Sequence, residues 1–208
     1  TVLGALSKGF RVAVVADGAG GTIATWSEYR SGSLDIYVQR ISAGGIAQWT
    51  TNGVVLCTAN GDRESCAITS DGASGAIVTW VDLRSGAPAI YAQRISAGGS
   101  PQWTANGVVL CTATGSGGGP TIVTDGAGGA IVTWDDFRGG NADIYAQRIS
   151  AGGTIQWTLA GVALCTATGS QLRPTIVSDA AGGAIVTWSD YPGGNADIYA
   201  QRISAGGT

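Results

Sequence analysis

The amino-acid sequence repeats itself every 54 residues. The stretch "ADIYAQRISAGG" occupies residues 142–153 and recurs unchanged at 196–207, and looser copies begin at Leu34 and Ala89. A Gln-Arg pair marks each copy, and its glutamine stands at Gln39, Gln93, Gln147 and Gln201. Equal intervals without insertions or deletions indicate an array of one supersecondary unit. This period constrains the fold more than any other feature of the chain.

Each unit reads as a series of short β-strands. β-Branched and aromatic runs alternate with turns rich in glycine, and Asp-Gly followed by more glycine is a strong hairpin signal because such turns need positive φ. No apolar pattern at helical spacing occurs. In the third copy the predicted strands are "TIVTD" (121–125), "AIVTW" (130–134), "DIYAQRIS" (143–150) and "TIQWT" (154–158).

Four short antiparallel strands per unit predict an all-β protein, a β-propeller built from four 54-residue blades. A β-solenoid is the alternative, but its coils stack parallel strands, whereas tight glycine turns favour antiparallel pairing. We expect one repeat domain over residues 1–208, with approximate blade units 1–46, 47–100, 101–154 and 155–208. Four full copies need 216 residues and the chain has 208, so we expect the last blade to lack its outer strand.

The fragments "DGAGGAIVTW", "DFR" and "DIYAQR" together resemble the blades of sialidase-type (Asp-box) and TolB-type propellers. In both families a strand that ends in an aromatic residue is followed by an Asp-x-Arg pair and then by Asp-Ile-Tyr. The resemblance implies the propeller fold. A sialidase active site also needs an arginine cluster and a tyrosine nucleophile paired with a glutamate. Only Glu28 and Glu64 occur here, and nearly every Arg or Tyr belongs to the repeated framework, so we expect no enzyme.

The composition narrows the classes of function. Lys and Arg number 11 against 14 Asp and Glu, without a basic patch, so we expect no nucleic-acid partner. His is absent, which removes the commonest general base and zinc ligand, and we expect no metal. No run of about 18 apolar residues could span a membrane. Only 12% of the residues are charged, which favours an extracellular or cell-surface location.

The loops that follow the aromatic strand differ between copies, and we expect a ligand on the face that carries them. These loops contain a repeated Asp-x-Arg motif and a second acidic position. The carboxylates could form ion pairs that hold the long links, or they could contribute to a calcium loop. The candidate residues for either role are Asp82, Arg84, Asp136, Arg138, Asp143 and Asp197.

Two further groups are candidates for ligand binding. Trp49, Trp103 and Trp157 lie on the predicted outermost strand, where exposed aromatic rings could stack on sugars or cover the hairpin beneath them. The segment "GDRESC" breaks the symmetry of the repeat with Asp62, Arg63 and Glu64.

The cysteines allow two interpretations. Cys57, Cys111 and Cys165 share a position that holds Leu3 in the first copy, which indicates a small buried apolar site. Cys66 stands where later copies have proline, and a disulfide between Cys57 and Cys66 would close the loop between them in an oxidising compartment.

We therefore expect a non-catalytic, extracellular structural or adhesive propeller that acts through other protein chains, including copies of itself joined through an open blade edge. The alternative is a glycan-binding lectin with one pocket per blade, and a glycoside hydrolase is the last choice. We expect no cofactor, with calcium as the alternative.

Overall fold

The computed structural model describes residues 9–30, 32–112 and 118–208. These residues form fifteen β-strands and no helix. The first two sheets each have four strands: β1 Gly9–Ala16, β2 Thr22–Tyr29, β3 Leu34–Ile41 and β4 Val54–Val55, then β5 Arg63–Ser70, β6 Ala76–Asp82, β7 Ala89–Ile95 and β8 Val108–Cys111. The third has four strands and the fourth has three: β9 Thr121–Thr124, β10 Ala130–Asp136, β11 Asp143–Ile149 and β12 Val162–Cys165, then β13 Ser170–Ser178, β14 Ala184–Tyr191 and β15 Asp197–Ile203.

The hairpin between the first two strands of each blade is built by an aspartate. In the third blade both the Ala127 and the Gly129 N–H donate to Asp125 Oδ1 at 2.8 Å. Gly126 and Gly128 adopt φ values of 74° and 81°, a region that costs glycine little. Arg148 on β11 closes the turn from the side through its ion pair with Asp125, 2.9 Å long. The repeated "DGAGG" is therefore a turn motif.

The four sheets follow one another around a common centre. Their first strands are neighbours: β1 packs against β5, β5 against β9, and β9 against β13. Three apolar cores fill the spaces between successive sheets, and Trp80 and Trp134 are fully buried in two of them. Every strand pair is antiparallel within the described ranges. These features confirm the four-blade propeller and exclude the solenoid, whose neighbouring strands run parallel.

The outer strand of each blade differs from the prediction. The segment with Trp157 forms only an isolated bridge between Ile149 and Ile155, so the predicted strand 154–158 is wrong. The fourth strand is instead "VALC" at Val162–Cys165, which pairs with β11. Each sheet is therefore offset from the predicted sequence units, because its fourth strand lies after the predicted boundary. The fourth sheet lacks this strand in the described ranges, which confirms that part of the prediction.

The segment that replaces the predicted strand joins successive blades. The Trp103 Nε1–H of the second blade donates to the Ala151 carbonyl of the third at 3.0 Å, and Arg94 donates to the same oxygen at 3.2 Å. The indole ring lies against Gly153, where a Cβ would come within 2.7 Å of ring atoms. Trp49 and Trp157 make the same bond to Ala97 and Ala205. The half-buried tryptophans are therefore contacts between blades.

Candidate functional site

The Asp-x-Arg motif forms a stack of four side chains at one end of the second and third blades, and Glu28 with Arg30 forms a similar stack in the first. In the third blade the buried Trp134 Nε1–H donates to Asp136 Oδ2 at 2.9 Å, and Arg138 binds the same carboxylate at 2.5 Å. The Arg138 guanidinium lies 3.9 Å from the centre of the Tyr145 ring, which stacks on Trp134. Asp82 and Arg84 repeat the arrangement in the second blade. The ion pairs thus hold the long links in place.

Burial and ion pairing act in opposite directions on these carboxylates. Burial disfavours the charged form of Asp136, but the hydrogen bonds from Arg138 and Trp134 outweigh it and lower the pKa. The fourth blade has Pro192 in place of the arginine, and there the buried Trp188 Nε1–H has no hydrogen-bond partner among the described residues. The motif is therefore complete only where its arginine is present.

The other acidic position does not join these stacks. Burial raises the pKa of the partly buried Asp143, and Asp197 is exposed on β15. No group of three or more acidic or cysteine side chains in the described ranges is arranged to hold a metal ion. The calcium loop stays a prediction.

The residues of the asymmetric segment "GDRESC" have two different roles. The Leu34 N–H of the first blade donates to Asp62 Oδ1 at 2.8 Å. Arg63 is fully buried and connects the first blade to the second, 2.7 Å from Asp35 and 3.4 Å from Asp82. These two residues are therefore internal links. Glu64 is exposed and lines a pocket.

No disulfide forms between Cys57 and Cys66, because all four cysteines are free thiols. Cys57 accepts a hydrogen bond from Arg84 at 3.2 Å, whereas Cys66 lies 3.8 Å from the Arg11 carbonyl. Burial raises the pKa of both thiols. Both side chains lie in the core between the first and second blades, and for Cys57 this agrees with the interpretation of a small buried apolar site.

A pocket of about 370 Å³ opens at the centre of the propeller, at the end that carries the variable loops. Three blades contribute to it: Arg11 comes from β1, Asp135 from β10 and Arg173 from β13. The Thr121 and Thr175 side chains also line it. We call Arg11, Asp135 and Arg173 with these two threonines the axial site. Two arginines from one repeat position and an aspartate from another meet here, whereas the other copies have Ser, Gly or Val at these positions.

The two arginines sit on β-bulges of the innermost strands. Arg11 has φ 46° and Arg173 has φ 57°, both in the left-handed region. The register of β1 shifts between Phe10 and Val12, and that of β13 shifts between Leu172 and Thr175. A bulge re-aims a side chain and is common beside functional sites. Ser65, at the same position in the second blade, has φ 55° and a register shift beside it, so the bulge belongs to the repeat and the arginine side chains distinguish the first and fourth blades.

Asp135 is the buried acid of the axial site. Its carboxyl forms no ion pair with a described residue, although two arginines line the same pocket. Burial raises its pKa, and the neighbouring Asp136 charge raises it further. A buried acid with a raised pKa in a pocket is a candidate functional group on physical grounds.

A second pocket of about 330 Å³ shares Arg11 with the axial site. Glu64 and Ser65 of the second blade line it, and so does Leu34. A second carboxylate therefore lies in the pocket beside the axial site, supplied by Glu64, one of the two exposed acidic residues of "GDRESC". Arg11 contributes to both pockets.

A third pocket, of about 340 Å³, lies at the outside of the propeller beside Trp103. It is lined by repeated framework residues, among them Gln93 and Asn106. Gln93 is buried and fully used within its blade, because its amide donates to the Thr104 carbonyl and accepts from Trp103. This pocket offers a ligand fewer free polar groups than the axial site does.

Reasoning from the sequence missed Arg11, Asp135 and Arg173. The signal that could have found them is the variation within single repeat positions. Residues 11, 65, 119 and 173 are one position filled by Arg, Ser, Gly and Arg, and residues 27, 81, 135 and 189 are another filled by Ser, Val, Asp and Ser. Arg11, Asp135 and Arg173, from these two positions, line the axial pocket.

Comparison with known proteins identifies solved structures with a similar fold. No family model and no curated protein sequence matches the chain. A Hadza microbial sialidase matches 94% of the chain over 45% of its own length, with a TM-score of 0.57 and 12% identity. A putative TolB from Agrobacterium tumefaciens matches 95% over 62% of its length, with a TM-score of 0.50 and 18% identity. An endo-arabinase from Bacteroides thetaiotaomicron matches 91% over 73% of its length, with a TM-score of 0.50 and 16% identity.

These similarities support the predicted resemblance to sialidase-type and TolB-type propellers at the level of the fold. They also correct one prediction. The expectation that the chain is not an enzyme was wrong. A sialidase and an endo-arabinase share this fold, so the fold is compatible with an enzyme. The physical reason for the error is that nearly every arginine and tyrosine was assigned to the repeated framework. Within the described ranges no helix has the length and apolar character of a membrane span.

Proposed function

We propose that this protein binds carbohydrate at the axial site, and that it prefers sugars that carry a carboxylate. The observation that carries the proposal is the convergence of Arg11, Asp135 and Arg173 on one pocket of a scaffold that is otherwise repeated. Arginine binds carboxylates through paired, charge-assisted hydrogen bonds. The Thr121 hydroxyl donates to the Pro174 carbonyl and the Thr175 hydroxyl bonds to Thr187, and each oxygen retains lone pairs that can accept from sugar hydroxyls. The sialidase and the endo-arabinase with this fold are named for carbohydrates, which supports the ligand class.

The experiment is a glycan array that contains acidic and neutral oligosaccharides. We expect acidic glycans to bind and Arg173→Ala to reduce binding at least about tenfold, the effect of about 1.4 kcal/mol. Arg202→Ala is the matched control, because Arg202 is an exposed arginine outside the axial site. Binding that survives Arg173→Ala but fails in Trp103→Ala would move the site to the outer pocket, and an array without any bound glycan would refute the proposal.

Hydrolysis of a glycosidic bond is the second candidate function. Such reactions use two carboxyl groups, one of which has a raised pKa and donates a proton. Asp135 supplies a carboxyl of raised pKa, and Glu64 supplies a second carboxylate at the neighbouring pocket. Release of reducing sugar from an array ligand, abolished in Asp135→Asn, would establish this activity, and binding without release would restrict the protein to recognition.

We place this activity outside the cell or at its surface. The low share of charged residues supports that location. Secretion of the protein by its source cells, followed with an antibody in the medium and in washed cells, tests it.

A further inference from the structure

We propose that copies of this chain associate head to tail, with the last sheet of one copy packed against the first sheet of the next. We call the face that a sheet turns to the following sheet its front face, and the opposite one its back face. The proposal concerns a partner and not the axial ligand, so it goes beyond the carbohydrate function and stands independently of it.

The chain already contains this interface three times. Ile23, Ile36 and Val38 on the front face of the first sheet lie in one core with residues of the second sheet. The partners on the back face of the second sheet are Ala76, Val78 and Trp80. The residues 54 and 108 positions later form the second and third cores. Front and back faces are therefore complementary for any two successive sheets.

The front face of the fourth sheet is not covered by any residue in the ranges 9–30, 32–112 and 118–208. Ile198 is 75% exposed and Ile185 is 40% exposed. Their equivalents in the third sheet, Ile144 and Ile131, are fully buried against the fourth. Val177 extends the same face. Together these side chains form an apolar surface. The equivalent surfaces of the first three sheets are each covered by the back face of the next sheet.

The first sheet has the corresponding exposed back face. Val12 is 71% exposed and Val14 is 62% exposed. The residues that stand in their place in the second sheet, Cys66 and Ile68, pack into the first core. The two open surfaces of the molecule are thus the two halves of the interface that recurs inside it.

A polar contact between successive sheets also lacks its second half at the front face of the fourth sheet and at the back face of the first. Arg40, Arg94 and Arg148 each donate to a carbonyl of the following sheet, at 3.0 to 3.3 Å. Arg202 has the equivalent position, and its side chain is 57% exposed where the others are about 20%. The missing acceptor corresponds to the Ala43 carbonyl, which lies 54 residues before Ala97. A second copy would bring this carbonyl to Arg202.

Sedimentation velocity of the 208-residue chain over a wide concentration range tests the proposal with two variants. Val14→Glu charges the back face and Ile198→Glu charges the front face, and both residues are exposed, so the fold should persist. A charge buried in an apolar contact is costly, and we expect each variant to weaken association at least about 100-fold. Leu159→Glu is the control, because Leu159 is 76% exposed outside both faces.

The mixture of the two variants is the decisive sample. Each variant keeps one intact face, so a head-to-tail contact predicts dimers in the mixture and monomers of each variant alone. A wild-type chain that stays monomeric at every concentration would overturn the proposal. Association that persists in either variant alone would also overturn it, because two like faces would then be in contact. Glycan binding by Val14→Glu, measured separately, reports on the axial site and not on this contact.

Discussion

Gly118 makes room for the carboxyl group of Asp135. A Cβ built on Gly118 would come within 1.8 Å of the Asp135 Cγ, closer than two non-bonded atoms can approach. The other copies place Phe10, Glu64 and Leu172 at the position of Gly118, and none of them has an aspartate at the position of Asp135. The glycine and the buried acid therefore occur together, in the one blade that contributes an acid to the axial site.

This relationship predicts the effect of Gly118→Ala. The new methyl group must displace the carboxyl, and forcing an extra methyl group into a packed site costs about 1–3 kcal/mol. We expect a loss of stability of that size in urea unfolding and a loss of binding at the axial site. Gly119→Ala is the matched control for the unfolding measurement, since its Cβ would lie 3.5 Å from Arg11 and has room; it does not serve for binding, because Gly119 also lines the axial pocket. Adding Asp135→Ser, the residue of two other copies, should restore stability but not binding, and an unchanged Gly118→Ala would contradict the packing.

Asp135→Asn should change how stability depends on pH. The folded pKa of Asp135 is raised, so its neutral form favours the fold below the unfolded pKa of about 3.9. As pH rises through the folded pKa, the carboxyl ionises in its buried position and this stabilisation is lost. We expect the variant and the wild type to unfold alike at pH 3 and the variant to be more stable at pH 7. Parallel pH profiles would show that Asp135 is not desolvated.

Arg138→Ala should leave the buried Asp136 without its partner. Breaking a fully buried ion pair costs about 3–5 kcal/mol, and we expect about 2–4 kcal/mol because a fifth of the Arg138 side chain is exposed. The pKa of Asp136 is lowered in the fold, so its contribution is present above pH 4 and is lost as pH falls further. The loss should therefore shrink in acid.

The control for Arg138 is Arg202→Ala, measured at low protein concentration. Arg202 pairs with Asp179 at 2.6 Å but is largely exposed, and such pairs contribute about 0–1 kcal/mol. Equal losses in the two variants, or a loss at Arg138 that is independent of pH, would show that the buried carboxylate is not responsible.

Gly153→Ala should weaken the junction between the second and third blades. Its Cβ would meet the Trp103 ring at 2.7 Å, and the residue has φ 82°. We expect a loss of about 1–3 kcal/mol in thermal or urea unfolding. The neighbouring Gly152→Ala should stay within about 0.5 kcal/mol of the wild type, because only Ser150 Oγ lies near its Cβ, at 3.9 Å. If both substitutions are equally harmless, Trp103 does not hold the blades together.

Much of the fold could be predicted because every copy of the repeat contains the sequence signals for its strands and turns. Asp125 with its glycines specifies a hairpin, and the copies specify how many blades there are. The fourth strand was misplaced because Ile155 and Trp157 favour a strand, yet the Trp157 indole is used by the next blade and only the "VALC" segment pairs along β11. Such a contact depends on the neighbouring blade, and local propensity does not include it.

The axial site was harder to predict because its residues are far apart in the sequence. Arg11, Asp135 and Arg173 come together only when three blades are arranged around the centre, and they belong to two repeat positions in three different copies. Glu64 was predicted as a ligand-binding residue because its segment breaks the symmetry locally. Asp62 and Arg63, from the same segment, are internal links.

The most direct test of the account is to locate a bound glycan by NMR. The central claim is that unlike residues at the propeller axis bind the ligand while the repeated residues form the framework. In ¹⁵N-labelled protein titrated with an acidic oligosaccharide from the array, we predict the largest amide shifts at Arg11, Gly118, Asp135 and Arg173. Shifts centred on Trp103, with equal ones at Trp49 and Trp157, would contradict the claim and place one site on every blade.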